Sequence, residues 1–229
     1  MIARQAAELI SEQLEKLMGS PERATPLDLD AYWAANSNGQ AVLPFAWLAI
    51  QSVPGNRWAG NPVLRRTAEA AARRLLAQML PGTSHGALRG SARPLILAFA
   101  LLRKDLPDAA KWKPDIQTII RKIYLPLLRD RDRLTILSSA NVGYGTNHLA
   151  TELTGLTAYI HAFRHDPDWA VMDPGGPALE AYAREWLARF MTHMDEGGYW
   201  PETDGPANAY NGLTGNGLLR AALDLGEIE

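Results

Sequence analysis

The sequence contains no cysteine. This absence excludes disulfide bonds, thiolate nucleophiles, cysteine-bound zinc and iron–sulfur clusters. A charge excess of one sign is also missing, because 23 Lys and Arg residues stand against 25 Asp and Glu residues. Such a balance offers no general electrostatic attraction for phosphate backbones, so we expect no nucleic-acid partner. Any chemistry in this chain must use oxygen and nitrogen groups.

Long apolar runs are absent as well. The run Leu95–Leu102 is followed at once by Arg103 and Lys104, and it is far shorter than the roughly 20 residues of a membrane span. We therefore expect no membrane partner. Charged residues spread through residues 1–18 are unlike a secretory leader. A cytoplasmic location is the default interpretation, and a periplasmic or secreted one stays open if a leader has been removed.

Strand-forming patterns are scarce, and helical patterns cover most of the chain. Valine and isoleucine are few beside alanine and leucine, so a sheet has little to be built from. Between Pro62 and Leu80, apolar residues recur at three- or four-residue steps, which predicts an amphipathic helix. Similar patterns predict helices over residues 2–17, 41–52, 94–104, 114–129, 147–164, 177–194 and 212–225.

We therefore expect an all-α fold in which successive helices pack as antiparallel hairpins. The length of 229 residues fits a single domain over 1–229. Three connections are long and rich in glycine and polar residues: Pro81–Arg93, Ser138–Thr146 and Asp195–Asn211. Long loops of this kind are often functional, and we expect all three on one face of the domain.

The segment that leads into the helix predicted from residue 147 has the strongest local signal. Asn147 and His148 fall in the first turn of that helix. Free backbone N–H groups and the positive end of the helix dipole favour an anion such as a carboxylate there. The alternative interpretation is an ordinary helix cap at Thr146 or Asn147 with His148 on the surface.

A second signal lies in the aromatic stretch that follows Gly197 and Gly198. Tyr199, Trp200 and Glu202 crowd together there. Aromatic rings beside carboxylates and amides suit sugars, which have apolar faces and hydroxyl edges. The alternative is that Tyr199 and Trp200 anchor the loop on the body of the protein.

Together, Asn147-His148 and the Gly-Tyr-Trp-Pro-Glu stretch with the later Tyr210 resemble the (α/α)-toroid polysaccharide lyases, the group of alginate lyases and heparinase II/III-like lyases. The resemblance implies antiparallel helical hairpins that form an incomplete (α/α) toroid. It implies cleavage beside a uronic acid by β-elimination, with Asn147, His148 and Tyr210 as catalytic residues. The expected partner is an acidic polysaccharide or oligosaccharide, and no cofactor is expected.

Further residues are expected to bind the substrate. A tyrosine base needs its pKa brought down from about 10, and a nearby arginine would do this. Arg89 and Arg93 are candidates, although both could be ordinary surface arginines. The predicted substrate-binding residues are His85, Arg89, Arg93, Tyr144, Tyr199, Trp200, Glu202 and Asn211.

Other functions stay open beside the lyase. A glycoside hydrolase on a helical toroid would need two carboxylates, and Glu202 with Asp204, Asp195 or Glu196 could supply them. A non-catalytic carbohydrate-binding toroid would keep the aromatic residues alone. No metal site is expected, since the pair His161 and His165 has no fixed third ligand. The chain ends directly after a predicted helix, which is compatible with a fragment of a longer chain.

Overall fold

A computed structural model describes residues 2–35, 41–81, 89–106, 109–132, 146–192, 194, 196–198, 200 and 208–228. The structure is 78% helical and has no strand in these ranges, which confirms the all-α class. A π-helical turn, Ile120–Tyr124, joins the α-helix that ends at Ile119 to the one that begins at Leu125. The α-helices are α1 (Ile2–Met18), α2 (Leu29–Ala35), α3 (Val42–Ile50), α4 (Pro62–Met79), α5 (Ala92–Leu102), α6 (Ala109–Ile119), α7 (Leu125–Asp132), α8 (Thr146–Phe163), α9 (Gly176–Thr192) and α10 (Asn208–Leu225).

The helices form two compact units, Met1–Lys113 and Pro114–Glu229. In the N-terminal unit, α3 is apolar almost all round and packs against α1, α4 and α5. The apolar stripe of α4 is buried where the sequence predicts it, and Leu64 and Leu75 are completely buried. This unit therefore has an ordinary apolar core.

Two asparagines fasten the connection between α3 and α4. Asn56 Nδ2 donates to the carbonyls of Leu48 and Gln51 at 2.8 and 2.6 Å. Asn61 Oδ1 caps α4 by accepting from the amides of Val63 and Leu64 at 2.9 and 3.0 Å. The predicted opening of α4 at Asn61–Pro62 is thus confirmed.

Two local predictions from the sequence are incomplete or wrong. The short helix α2 was not predicted, although Asp28 signals it, since Asp28 Oδ1 accepts from the amides of Asp30 and Ala31 at 3.0 Å each. The helix predicted to open at Pro114 begins at Ala109 instead, with Pro114 in its interior. Pro114 has no backbone N–H, so one backbone hydrogen bond of this helix is missing.

In the C-terminal unit, α8 is central and packs against α7, α9, α10 and the π-helical turn. From Leu149 to Phe163, every residue of α8 is buried except Thr151 and His161. Gly155 allows the Tyr124 ring to lie directly on the helix, because a Cβ there would be 2.6 Å from Tyr124 Cε1.

Hydrogen bonds connect the C-terminal ends of α8 and α10 with each other, with the segment before α9 and with the middle of α9. Tyr159 O–H donates to the Pro174 carbonyl at 2.6 Å. Arg164 of the α8 end and Arg184 of α9 both donate to the Leu225 carbonyl, at 3.4 and 2.9 Å. These contacts hold one end of the unit together, and the candidate site lies at the other end.

Candidate functional site

The first turn of α8 holds two of the predicted catalytic residues. Because α8 begins at Thr146, Asn147 and His148 lie in its first turn, as the sequence predicts. The Asn147 side chain is 9% exposed, whereas His148 is exposed to solvent. Thr151 Oγ1 donates to the Asn147 carbonyl at 2.9 Å, one turn further along the helix. The histidine therefore faces solvent at the N-terminal end of a helix whose side chains are mostly buried.

The first turn of α10 holds the third predicted catalytic residue. The sequence predicts a loop through Asn211 and a helix from Gly212, and this boundary is wrong, because α10 begins at Asn208 and includes Tyr210. The sequence pattern for this helix is weak because α10 contains Gly212, Gly215 and Gly217, and each glycine costs about 1 kcal/mol of helix stability relative to alanine. One of them is needed for packing, since a Cβ at Gly217 would lie 3.2 Å from Ala150 Cβ on α8.

Helices α8 and α10 run parallel, in one register. Gly217 lies against Ala150, and Thr157 Oγ1 donates to Asp224 Oδ2 at 3.0 Å. Thr157 and Asp224 are 67 residues apart in the sequence, and so are Ala150 and Gly217. A constant separation requires parallel helices, so both helices start at the same end of the unit. In this register Tyr210 lies before Asn147 along the shared helix direction, by about one turn or roughly 6 Å.

The seam between α8 and α10 is lined by small and polar residues. Steps of three and four residues from the observed contacts define the facing positions on each helix. All of these residues are buried. They are Asn147, Ala150, Thr154 and Thr157 on α8, and Thr214, Gly217, Ala221 and Asp224 on α10. A polar seam of this kind gives less stability than an apolar one, so its side chains need another explanation.

Trp200 connects the end of α9 to the middle of α10. Its indole N–H donates to the Phe190 carbonyl on α9 at 2.8 Å, and its Cζ3 would lie 3.8 Å from a Cβ at Gly215 on α10. The ring is 9% exposed. Since Phe190 is linked through Trp200 to Gly215, while the earlier Arg184 reaches Leu225 at the end of α10, α9 is antiparallel to α10, as expected for successive helices. The buried indole agrees with the interpretation of Trp200 as an anchor and leaves little of the ring for a sugar.

Other predicted site residues are placed only in part. Arg93 lies in the first turn of α5, half-buried, rather than in the predicted loop, because a short helix at Arg89–Ser91 leads directly into α5. Asn211 belongs to α10. The side chains of Arg89, Tyr210 and Asn211 lie outside the described residues, as do His85, Tyr144, Tyr199 and Glu202 altogether.

Sequence reasoning missed a buried acid beside the candidate site. Glu152 is completely buried in α8, one turn after His148. The signal was present, because Glu152 falls between Leu149 and Leu156, within the apolar stripe of its helix. A fully buried glutamate is rare unless it serves a partner.

Two other tyrosines of this unit are poorly suited to act as a base. Burial raises the pKa of Tyr159, whose hydroxyl already donates to the Pro174 carbonyl. Burial also raises the pKa of Tyr182. Their ionised forms are disfavoured, so neither replaces Tyr210 as a candidate.

Clusters of metal ligands and membrane-spanning helices are both absent from the parts of the chain that the structure describes. No group of three His, Asp or Glu side chains there could hold a metal ion. None of the helices that are described combines the length and the apolar character needed to cross a bilayer. No protein-family model, no curated protein and no solved structure matches this chain.

Proposed function

We propose that this chain is a polysaccharide lyase-like domain that cleaves a uronic-acid-containing polysaccharide by β-elimination, on hairpins arranged as an incomplete (α/α) toroid. The observation that supports the proposal most is the parallel register of α8 and α10. It brings the first turns that hold Asn147, His148 and Tyr210 to the same end of the C-terminal unit.

Two parallel helices that start at one end also favour an anionic substrate there. Each helix N-terminus carries a partial positive charge of about half an elementary charge, together with backbone N–H groups that lack helical partners. In α8 and α10 these charges add at the same end rather than cancel. A uronate carboxylate is the kind of group that such an end attracts.

The residue types match the steps of β-elimination. The proton on the carbon next to the carboxylate is removed by a base, a carbon–carbon double bond forms, and the glycosidic oxygen leaves and takes a proton. Asn147 would donate to the carboxylate and stabilise the negative charge that develops on it. His148 or an ionised Tyr210 would remove the proton, and Tyr210 would protonate the leaving oxygen.

The predicted residues of the C-terminal unit would bind the polymer around this centre. We propose hydrogen bonding to the sugar for Asn211, and sugar contacts for Tyr144, Tyr199 and Glu202. For His85, Arg89 and Arg93, which belong to the N-terminal unit, we propose cationic and hydrogen-bonding contacts with a polymer. Trp200 differs, because its indole N–H is used within the protein at 2.8 Å from Phe190 O. Its part in binding would be indirect, by holding the segment that carries Tyr199 and Glu202.

The test is a screen of uronate polymers that records ultraviolet absorbance. Elimination creates a conjugated double bond, whereas hydrolysis does not. The wild-type protein should produce the absorbing product from at least one polymer, and His148→Ala should reduce the rate. The matched control is His161→Ala, an exposed histidine in the last turn of the same helix, which should keep the wild-type rate.

Two outcomes would contradict the proposal. Reducing ends released without absorbance would indicate a glycoside hydrolase. Binding of oligosaccharides without any cleavage would indicate the carbohydrate-binding alternative.

A further inference from the structure

Glu152 is the feature of this unit that the proposed reaction does not yet use. Its side chain has no exposed surface, although it lies on the helix that presents His148 to solvent. Burial of a carboxylate costs several kcal/mol unless donors surround it. An apolar residue would fill the same position without that cost, so the acid needs a reason other than packing.

The position of Glu152 within α8 points towards His148. The two residues are four apart in a continuous helix, and such residues lie one above the other on the same face. A long side chain in a helix leans towards the N-terminus, over the preceding turn. A glutamate at this spacing is within reach of the histidine, as in other i, i+4 side-chain pairs.

We propose that Glu152 is a positioning residue for His148: its carboxylate accepts one ring N–H of the imidazole and leaves the other ring nitrogen free to take a proton. This inference rests on the proposed function for its purpose, because a fixed tautomer serves a general base. A carboxylate that orients a histidine in this way selects one tautomer and one ring orientation.

The other buried acid of the unit is too far away to have this role. Asp224 lies level with Thr157 and accepts its hydroxyl at 3.0 Å. Thr157 is nine residues beyond His148, about 14 Å along the helix axis. Asp224 therefore provides a matched control, a buried carboxylate of the same unit that cannot reach the ring.

The experiment uses ring ¹⁵N NMR of the histidines at a pH where the imidazole is neutral. In the wild-type protein His148 should populate one tautomer with a preference of more than about tenfold, as a charge-assisted hydrogen bond gives. His161 and His165 are exposed and serve as internal references, which should populate both tautomers. Glu152→Gln should reduce the His148 preference several-fold, and Asp224→Asn should leave it unchanged.

The measurement needs no substrate, so it separates this inference from the proposed function. A mixed tautomer at His148 in the wild-type protein would overturn the inference even if Glu152→Gln failed to fold. An unchanged His148 tautomer in a folded Glu152→Gln protein would overturn it as well. Once a polymer is found, Glu152→Gln should lower kcat with little change in KM, and Glu152→Asp should restore part of the loss.

Discussion

The pair α3–α4 in the N-terminal unit and the pair α8–α10 in the C-terminal unit both bury the faces by which they pack, but with different side chains. The first pair buries large apolar residues such as Phe45, Leu48 and Leu75. The second buries threonines, glycine, asparagine and aspartate along its seam. An apolar seam stabilises the protein by the apolar area that it buries, at about 25 cal/mol per Å². In a polar seam each buried donor and acceptor must also find a hydrogen-bond partner.

The difference teaches where specificity lies in this chain. Apolar side chains tolerate small shifts between two helices, because any close contact is about equally favourable. The hydrogen bond from Thr157 to Asp224 tolerates none, since a slip of one turn would remove the donor from a buried carboxylate. The polar seam therefore fixes the relative height of α8 and α10, and with it the distance along the axis between Tyr210 and Asn147.

The sharpest test removes the proposed proton carrier. Tyr210→Phe keeps the ring and deletes the hydroxyl, so turnover should fall by about 10²- to 10⁴-fold. The measurement is the initial rate of double-bond formation on the best uronate polymer. Thermal stability should stay at the wild-type value, and a variant that keeps near-normal turnover would reject the assignment of Tyr210.

The next effect concerns the anchor between α9 and α10. Trp200→Ala removes a buried ring and its hydrogen bond to Phe190 O, so the free energy of unfolding should fall by about 3–5 kcal/mol. Denaturant titration measures this loss. Met194→Ala changes an exposed residue nearby and should have little effect. Equal stability of the two variants would mean that Trp200 does not anchor the segment.

Replacing a glycine by alanine should change the stability in opposite directions at Gly155 in α8 and at Gly212 in α10. At Gly155 a methyl group would meet the Tyr124 ring at 2.6 Å, so Gly155→Ala should destabilise by about 1–3 kcal/mol. At Gly212 nothing lies within 4 Å, so Gly212→Ala should stabilise α10 by about 0.5–1 kcal/mol. Thermal unfolding of both variants provides the measurement, and effects of the same sign would contradict the close packing at Gly155.

A pair of Thr→Val variants compares the two kinds of seam directly. Thr157→Val removes a donor to a buried carboxylate and should cost about 1.5–3 kcal/mol of stability. Thr67→Val in α4 removes a hydroxyl that donates only to the Val63 carbonyl of its own helix, and should cost less than about 0.5 kcal/mol. Urea unfolding distinguishes the two. A Thr157→Val protein as stable as Thr67→Val would show that the polar seam carries no special requirement.

The smallest effect is expected at the start of α4. Asn61→Ala removes the side chain that caps two amides and donates to the Pro21 carbonyl at 2.7 Å. The expected loss is about 1 kcal/mol. Thermal unfolding checks it, with Asn61→Asp as the control that keeps the cap. No difference between these two variants would assign the loss to something other than capping.

Much of the fold could be predicted because local patterns carry it. Apolar residues of α4 recur at helical spacing between a capping Asn61 and a closing Pro81, and each of these signals is contained within a few residues. The position of Asn147 and His148 in a first turn follows from the same kind of pattern.

The rest of the candidate site could not be predicted in this way. Tyr210 is helical because α10 packs closely on α8 at Gly217, a contact between residues 67 positions apart in sequence. The burial of Glu152 depends on α8 being surrounded by several helices, whereas one sequence pattern describes one face of one helix. Both properties arise from tertiary packing, which local propensity does not report.

The π-helical turn Ile120–Tyr124 has a consequence for reading sequences of this kind. Ile116, Ile120, Tyr124 and Leu128 are all buried, at intervals of four residues. In an uninterrupted α-helix such a row drifts by about 40° at each step, and its last member would be rotated about 120° away from the first. The widened turn, closed by the Leu125 amide on the Ile120 carbonyl, takes up this drift. An apolar row with a strict period of four therefore indicates a helix in which one turn contains an extra residue.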